Sequence, residues 1–357
     1  MSFEIDQIKL LLRFTFLLTL SMLMACKHID EPSTRPAHHT ADGFQNPHVG
    51  PIVKSPWTFL RMKYFGDEKF ADHSIKAHLM PSLPVDFERV EMPSESPQIT
   101  WIGHSTFLIQ YRGISILTDP IMTDRASPVS FAGPQRLVPM PIQLEQLPDI
   151  DYVIISHNHY DHLDSETISQ LGSSTQFLVP LKLKPWFVEL GIEASKVHEF
   201  DWWQKASYGA LTVTATPSQH WSARGLFDRN KTLWAAWHFN IGDFSLWFAG
   251  DTGYNEIQFK EIGERFDSVD VALIPIGAYA PRWFMKDQHV NPEEAVKMHL
   301  DVRAKQSFGM HWGTFQLTAE EFFEPKEKLA VALATRNIDP DLFRTLSIGE
   351  TVEMVVP

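Results

Sequence analysis

Cysteine is almost absent from this chain of 357 residues, because Cys26 is the only one. No disulfide can therefore form within the chain. Long uninterrupted apolar runs are absent as well, since polar and charged residues break the N-terminal apolar stretch between Leu10 and Met24. That stretch falls below the roughly 18 uninterrupted apolar residues that a membrane-spanning helix needs.

Basic residues are also scarce, with 31 Lys and Arg against 44 Asp and Glu and a formal net charge of −13 at pH 7. The sequence contains neither a basic run nor a stripe of arginines interleaved with aromatics. Proteins that bind nucleic acid carry such clusters, so we expect no nucleic-acid partner. An anionic membrane surface would not attract this chain either, so membrane attachment would need another device.

The N-terminus contains a candidate signal for membrane attachment. Lys9 and Arg13 precede or enter the apolar stretch, which ends in Leu23-Met24-Ala25-Cys26. A basic start, a short apolar core and small residues before a cut are typical of a secretory signal. The cysteine directly after the small residue resembles a bacterial lipoprotein signal, in which that cysteine is lipidated. We therefore expect residues 1–26 to be a signal segment and Cys26 to anchor the protein at the cell envelope, on the outer membrane or the periplasmic face. An uncleaved anchor and a short buried helix are the alternatives.

The remaining composition is that of a globular enzyme, with 44% hydrophobic and 21% charged residues, enough to bury a large core. Eleven Trp and 25 Phe indicate an apolar cleft or a lipid-facing surface. We expect residues 27–97 to form an arm and tether, and residues 98–357 to form one catalytic domain. Within the arm, the aromatic segment from Ser55 to Phe65 predicts either a helix resting on lipid or a core-packing segment.

Four metal-capable side chains lie within six residues, in His157-Asn158-His159-Tyr160-Asp161-His162, directly after the strand-like run 152–155. In extended backbone, residues i and i+2 point the same way and lie about 6.6 Å apart, so the first two histidines can bind one ion. Asp161 and His162 can reach a second ion. A His-rich solvated loop is the alternative, but His and Asp at this density are preferred ligands of zinc and related ions.

One cluster cannot complete two coordination spheres, so other segments must supply ligands. His220, Asp251 and His311 each follow a short strand-like apolar run, and the ends of strands present side chains to a shared rim. Taken singly, each histidine could be a hydrogen-bonded core residue and the aspartate a turn residue. Taken with the first cluster, they supply the missing ligands.

With these candidate ligands, the sequence resembles a known family, the N-acyl-phosphatidylethanolamine-hydrolysing phospholipases D of the metallo-β-lactamase superfamily. The resemblance runs from about Pro47 to the C-terminus. This order of ligands is common to many hydrolases. Five strings of the sequence also match the family, and the last two of them are more specific than the ligand order. The strings are Ile155 to Asp164, Phe248 to Tyr254, Pro275 to Tyr279, Pro281 to Met285 and Met310 to Phe315.

The resemblance implies a ligand set for two ions, expected to be zinc, with iron or manganese as alternatives. His157, His159 and His220 would hold one ion, Asp161, His162 and His311 the other, and Asp251 would bridge them. It further implies that Asp119 orients ligands and that His289 lies near the substrate. Asp161, Asp251 and His289 would thus be the catalytic residues. For His289 a loop or cap role is the alternative, and His104 is expected to be structural.

The resemblance also implies an αββα sandwich with the dinuclear site at one edge. The expected reaction is hydrolysis of N-acyl-phosphatidylethanolamine, a membrane phospholipid, to phosphatidic acid and an N-acylethanolamine by a metal-bridging hydroxide. Hydrolysis of another ester, a lactone or a lactam is the alternative, and a non-catalytic metal-holding surface lipoprotein is an alternative of another class. No oligomeric state is predicted. Periodicity predicts helices at 165–171, 185–190, 292–300 and 318–334, and a hairpin of strands 232–241 and 244–248.

Overall fold

The fold is that of a computed structural model, which describes residues 35–355 except 53, 67–68 and 173. The predicted signal segment and Cys26 lie outside these residues. From Thr40 onward, the described residues form one compact unit. Within the described part of the chain, no helix is both long enough and apolar enough to cross a membrane.

The strands form two seven-stranded sheets, with the orders β14-β1-β2-β3-β4-β5-β6 and β13-β12-β11-β10-β9-β8-β7. In chain order they are β1 (Gln98–Gly103), β2 (Thr106–Tyr111), β3 (Ile114–Thr118), β4 (Tyr152–Ile154), β5 (Gln176–Pro180), β6 (Val197–Phe200), β7 (Lys205–Tyr208), β8 (Leu211–Thr216), β9 (Ala236–Ile241), β10 (Phe244–Phe248), β11 (Val269–Pro275), β12 (Ala304–Met310), β13 (Phe343–Thr345) and β14 (Thr351–Glu353).

The two sheets repeat one pattern of pairing. In the first, β14, β1, β2 and β3 pair antiparallel, and β3, β4, β5 and β6 pair parallel. In the second, β7 to β10 pair antiparallel and β10 to β13 pair parallel. The predicted hairpin is present as β9 and β10. Parallel neighbours need crossover connections, and helices supply most of them.

The helices lie mainly in these connections and in the N-terminal arm. They are α1 (Pro56–Leu60), continued by a π-helical turn (Arg61–Phe65), α2 (Ser74–Ala77), α3 (Phe87–Glu91), α4 (Ser165–Leu171), α5 (Lys184–Glu189), α6 (Gln258–Phe266), α7 (Arg282–Met285), α8 (Pro292–Asp301) and α9 (Glu324–Thr335), with 3₁₀ turns at Leu144–Gln146, Ala194–Lys196 and Pro340–Leu342.

Alternation of side chains along the strands separates two cores. Ile109 and Ile154 belong to the large core shared with the second sheet, whereas Leu108 and Val153 belong to a smaller core that also contains Phe187 of α5. Successive side chains on a strand point to opposite faces, so the first sheet is covered on both sides. The predicted αββα sandwich is confirmed.

The N-terminal arm contributes to both cores. Phe44 and Met80 are buried in the large core, and Val85 and Val90 in the smaller one. The predicted boundary at residue 98 coincides with the start of β1, but the side chains that precede it belong to the same packed interior.

Two predicted elements have different bounds. The helix expected from Thr318 begins only at Glu324, because the buried Glu320 carboxylate instead accepts the N–H groups of Ala278 and Ala280 and Pro325 suits a first helical turn. The strand expected from residue 232 begins at Ala236. Before it, the N–H groups of Leu233 and Ala235 donate to loops around the first sheet rather than to a strand.

Candidate metal centre

The predicted ligands follow strand ends at one edge of the sandwich. Asp119 follows β3, the His157–His162 loop follows β4, His220 follows β8, Asp251 follows β10 and His311 follows β12. Parallel strands present their carboxyl ends to the same edge, so residues far apart in sequence meet there. The structure brings all of them together.

Three histidines form the first group. His157 Nε2 lies 2.8 Å from His159 Nδ1, which lies 3.2 Å from His220 Nε2. Second hydrogen bonds orient two of the rings, since Ser156 Oγ lies 2.9 Å from His157 Nδ1 and the Gln288 carbonyl oxygen lies 2.9 Å from His220 Nδ1. These are the three residues predicted to share one ion.

The second group contains Asp161, His162 and His311, together with His104. His311 Nε2 lies 3.3 Å and His162 Nε2 lies 3.4 Å from Asp161 Oδ2. His104 was expected to be structural. Its buried ring places Nε2 3.0 Å from the same carboxylate oxygen, so it positions a candidate ligand.

Asp251 stands between the two groups. Its Oδ2 is 3.1 Å from His162 Nε2, 3.7 Å from His220 Nε2 and 3.9 Å from His157 Nε2, and its Oδ1 is 3.1 Å from His311 Nε2. One carboxylate therefore faces both groups, which is the position that the bridging role requires.

Several of these buried polar atoms have no hydrogen-bond partner of acceptable geometry among the described residues. They are His159 Nε2, His162 Nε2, His311 Nε2, His289 Nδ1 and Asp251 Oδ1. A buried polar atom without a partner is costly. Among them, His162 Nε2 and His311 Nε2 converge on the carboxylates of Asp161 and Asp251, and His nitrogens with carboxylate oxygens are a common donor set for divalent ions. The residues therefore fit a bound metal.

The electrostatics of the two groups differ. Burial, the largest effect, lowers the pKa of His157 and His159 well below the usual value and that of His220 to about 4. Neutral imidazoles keep a lone pair for an ion. The three histidines of the first group are thus neutral, which is the protonation state that binds a cation.

In the second group, burial disfavours charge, but the carboxylates outweigh it. Asp251 and Asp161 raise the pKa of His311 to about 9, and they raise the pKa of His162 well above the usual value. Burial by itself would raise the pKa of the Asp161 and Asp251 carboxyls. Neighbouring histidines, with His162 making the largest contribution, instead hold both pKa values well below the usual range. Two buried, ionised carboxylates are costly, and a positive charge between them offsets that cost.

The backbone is strained at three positions of this site. His104, Asp119 and His311 have φ angles of 53°, 32° and 62°, values that non-glycine residues adopt rarely. Such conformations persist where the surrounding structure imposes them, and they cluster at functional sites. Gly277 belongs to the same packing, because a Cβ there would stand 2.1 Å from the His311 carbonyl oxygen.

A cavity of about 570 Å³ opens onto the two groups. His159, Asp161, Asp251 and His289 lie at its polar end, and His289 Nε2 is 3.8 Å from Asp251 Oδ2. The structure thus places His289 beside Asp251 and in the lining of the same cavity. Most of the remaining lining residues are apolar, namely Phe59, Leu60, Met62, Trp221, Ala278, Phe284, Met285 and Leu317, and the others are Lys54, Ser55, Arg229, Gln288 and Thr318.

The aromatic segment 55–65 forms part of this wall through Phe59, Leu60 and Met62. Met62 is buried against Phe284 and Met285, whereas Trp57, Tyr64 and Phe65 are 68%, 65% and 70% exposed. Met62 therefore packs in the interior, as the core-packing alternative expects, whereas contact of the exposed aromatics with lipid stays a prediction.

Arg224, which the sequence did not single out, braces the loop that carries four candidate ligands. Its guanidinium donates to the carbonyl oxygens of Asn158 and Leu163 at 3.0 and 2.6 Å and stacks over the Tyr160 ring at 4.0 Å. Asn158 lies within the ligand cluster and Leu163 directly follows it, so one side chain holds the loop at two points, five residues apart in sequence. Ser156 and Gln288 were missed too, because hydrogen bonds to histidine rings leave no pattern in sequence.

Comparison with known proteins agrees with this geometry. Residues 115–312 match the profile of the beta-lactamase superfamily domain. N-acyl-phosphatidylethanolamine-hydrolyzing phospholipase D 1 of Caenorhabditis elegans is 41% identical over 300 residues, which are 80% of this chain and 82% of that protein. The mitochondrial enzyme of the same name from Saccharomyces cerevisiae is 40% identical over 238 residues, 64% of this chain and 50% of that protein.

The fold has also been seen in solved structures. A possible metal-dependent hydrolase from Veillonella parvula superposes with a TM-score of 0.60 at 18% identity, covering 72% of this chain and 100% of that one. Fold and site define a metal-dependent hydrolase of the metallo-β-lactamase class. The chain belongs, within that superfamily, to the N-acyl-phosphatidylethanolamine-hydrolysing phospholipase D family. Such a fold implies a divalent metal.

Proposed function

We propose that this protein hydrolyses N-acyl-phosphatidylethanolamine to phosphatidic acid and an N-acylethanolamine, with two zinc ions bound at the candidate metal centre. The single observation that carries the proposal is one cavity that is lined by His159, Asp161, Asp251 and His289 and whose remaining wall is mostly apolar. A phospholipid has the same division between a charged phosphodiester and acyl chains. The printed names of the two relatives add support.

His157, His159 and His220 would hold one ion, Asp161, His162 and His311 the other, with Asp251 shared. Bound there, divalent ions lower the pKa of water and neutralise phosphoryl oxygens. His104 and Asp119 keep two of these side chains in place through hydrogen bonds of 3.0 Å to Asp161 and 2.6 Å to His162.

The reaction exchanges one bond at phosphorus for another. Water oxygen bonds to phosphorus, the bond between phosphorus and the ethanolamine oxygen breaks, and that oxygen takes up a proton. Asp161 and Asp251 are ionised and can accept a hydrogen bond from the attacking water. His289, which lines the same cavity 3.8 Å from Asp251, would donate a hydrogen bond to the phosphodiester.

The membrane supplies the substrate in this proposal. The exposed Trp57, Tyr64 and Phe65 belong to the segment that lines the cavity through Phe59, Leu60 and Met62, and Trp283, which precedes the lining residue Phe284, is 51% exposed. The Arg61 guanidinium lies 5.3 Å from the centre of the Trp283 ring. Aromatic side chains with an adjacent cation suit the boundary between head groups and acyl chains. A phospholipid could then enter the cavity with its acyl chains directed to the bilayer.

The location follows from the N-terminus, with Cys26 as the proposed lipid attachment point at the bacterial cell envelope. The acidic chain gains little from anionic head groups. Several acyl chains on one cysteine would anchor it firmly, where a single chain gives only marginal binding. The anchor would keep the enzyme beside its membrane substrate.

The test is turnover by the purified, zinc-loaded protein on N-acyl-phosphatidylethanolamine in mixed micelles. Phosphatidic acid and N-acylethanolamine should form in equal amounts, and a chelator should stop the reaction until zinc is restored. Water-soluble phosphodiesters and lactones serve as comparison substrates. Efficient cleavage of those, with the phospholipid untouched in every presentation, would contradict the proposal, and no turnover of any of them would favour a metal-holding lipoprotein.

A further inference from the structure

Two cationic side chains stand in the wall of the substrate cavity, one from the N-terminal arm and one from the loop after His220. Lys54 and Arg229 both line it. The Lys54 ammonium lies 4.3 Å from the centre of the Phe284 ring, and the Arg229 guanidinium lies 4.0 Å from that of Trp221. Because both rings also belong to the cavity wall, the cations are held at the cavity.

Neither cation is neutralised by an ion pair. Within the described residues, no carboxylate oxygen lies within 4.0 Å of either one, and each donates to a main-chain oxygen, Lys54 to Phe284 and Arg229 to Ile52. Burial is the largest cause that lowers the pKa of Lys54. Asp287 raises that pKa and Arg229 lowers it. Two half-buried like charges therefore act on each other in a cavity of an otherwise acidic chain.

An anionic ligand would relieve this repulsion, whereas a cationic one would add to it. Phosphatidylethanolamine carries an ammonium beside its phosphate. Acylation of the nitrogen turns that ammonium into a neutral amide and leaves the head group with one negative charge. The charge of the head group is thus the property that these side chains can sense.

We propose that Lys54 and Arg229 are specificity-determining residues, which favour phospholipids with an acylated, anionic head group and reject those that keep an ammonium. This inference rests on the proposed function and deepens it. Lys54 and Arg229 need not touch the reacting phosphorus, since Coulombic interaction in a partly buried site acts over several ångströms.

The test compares the double variant Lys54→Gln/Arg229→Gln with the wild type on N-acyl-phosphatidylethanolamine and on phosphatidylethanolamine in neutral-detergent micelles. The ratio of kcat/KM for the two lipids should fall by about tenfold or more. The matched control is Lys63→Gln/Lys231→Gln, which removes the same charge from the same two segments at exposed positions. The control should keep the wild-type ratio.

A conservative double variant, Lys54→Arg/Arg229→Lys, separates charge from packing, because it keeps both charges and should keep the ratio. An unchanged ratio in the Gln variant overturns the inference while leaving the proposed function intact. Binding of the same two micelles, measured with a chelator present so that nothing turns over, gives an independent readout. If the wild type cleaves neither lipid, a binding preference that is lost only in the Gln variant still supports the inference, and equal binding by both proteins overturns it.

Discussion

Asp119 Oδ2 lies 2.6 Å from His162 Nδ1, and both side chains are fully buried. The N–H of Ser156 donates to the other oxygen of the carboxylate at 2.6 Å. Because Nδ1 of His162 donates to Asp119, Nε2 is the ring nitrogen left to bind an ion, and it faces Asp251 at 3.1 Å. A carboxylate that does not itself face the cavity thus decides which nitrogen of His162 is available to an ion.

Replacing that carboxylate by an amide should weaken metal binding without unfolding the protein. Asp119→Asn can present an N–H to His162 Nδ1, which favours the wrong tautomer, and we expect metal affinity to fall by about 10–100-fold. Competition with a chromophoric chelator measures it. Asp243→Asn, at an exposed turn, is the control. Wild-type affinity in Asp119→Asn would show that the hydrogen bond does not set the tautomer.

Asp251 should matter more, because its two oxygens face both ligand groups. Asp251→Ala leaves His162 and His311 without their nearest shared carboxylate, so we expect no more than one ion per chain and activity reduced by at least about a hundredfold. Elemental analysis of folded protein provides the count. Two ions retained in the variant would exclude a bridging role, and one ion or none in the wild type would exclude the dinuclear centre.

A buried histidine away from the metal centre should make stability depend on pH. Burial lowers the pKa of His238 from 6.5 to about 4, and its ring stacks on Phe266 with centroids 3.7 Å apart. The unfolded chain therefore takes up the proton first as pH falls. Stability is full above about pH 6.5 and declines toward pH 4, by on the order of 3 kcal/mol at about 1.4 kcal/mol for each tenfold difference in proton affinity.

His238→Gln should flatten this decline, as measured by urea unfolding at pH 7 and pH 4.5 with a chelator present to exclude metal effects. His299, whose pKa burial also lowers to about 4, remains in both proteins, so the difference between them isolates His238. His48→Gln, at an exposed position, is the control. Equal declines in His238→Gln and wild type would contradict the assignment.

The proposed lipidation at Cys26 predicts the form of the mature N-terminus. Mass spectrometry should find the chain beginning at an acylated Cys26, and Cys26→Ser should release active, metal-loaded protein from membranes or stall signal processing. An unmodified cysteine, or an intact Met1 in membrane-embedded protein, would favour the uncleaved anchor instead.

The fold and the candidate ligands could be predicted because local patterns carry them. The period-two spacing of His157 and His159 after a strand places both rings on one side, and short apolar runs before His220, Asp251 and His311 mark strand ends. The predicted start at Thr318 was wrong because helical periodicity continues through Glu320, and only tertiary structure reveals that its carboxylate binds the backbone of the 278–280 loop.

Other features depend on contacts between distant segments. His104 resembled a core histidine, and its place beside Asp161, 57 residues later, is visible only in the folded chain. Lys54 and Arg229 were unremarkable in sequence for the same reason. A side chain that acts through a partner far along the chain gives no periodic signal, and the sheets have to be assembled before such a pair is visible.

The most direct test of the central claim is hydrolysis of N-acyl-phosphatidylethanolamine in ¹⁸O-labelled water by the zinc-loaded protein. Attack of water on phosphorus places one ¹⁸O atom in phosphatidic acid and none in the N-acylethanolamine, and chelation should abolish both products. Label in the N-acylethanolamine, or no phosphatidic acid from fully loaded protein, would contradict the account.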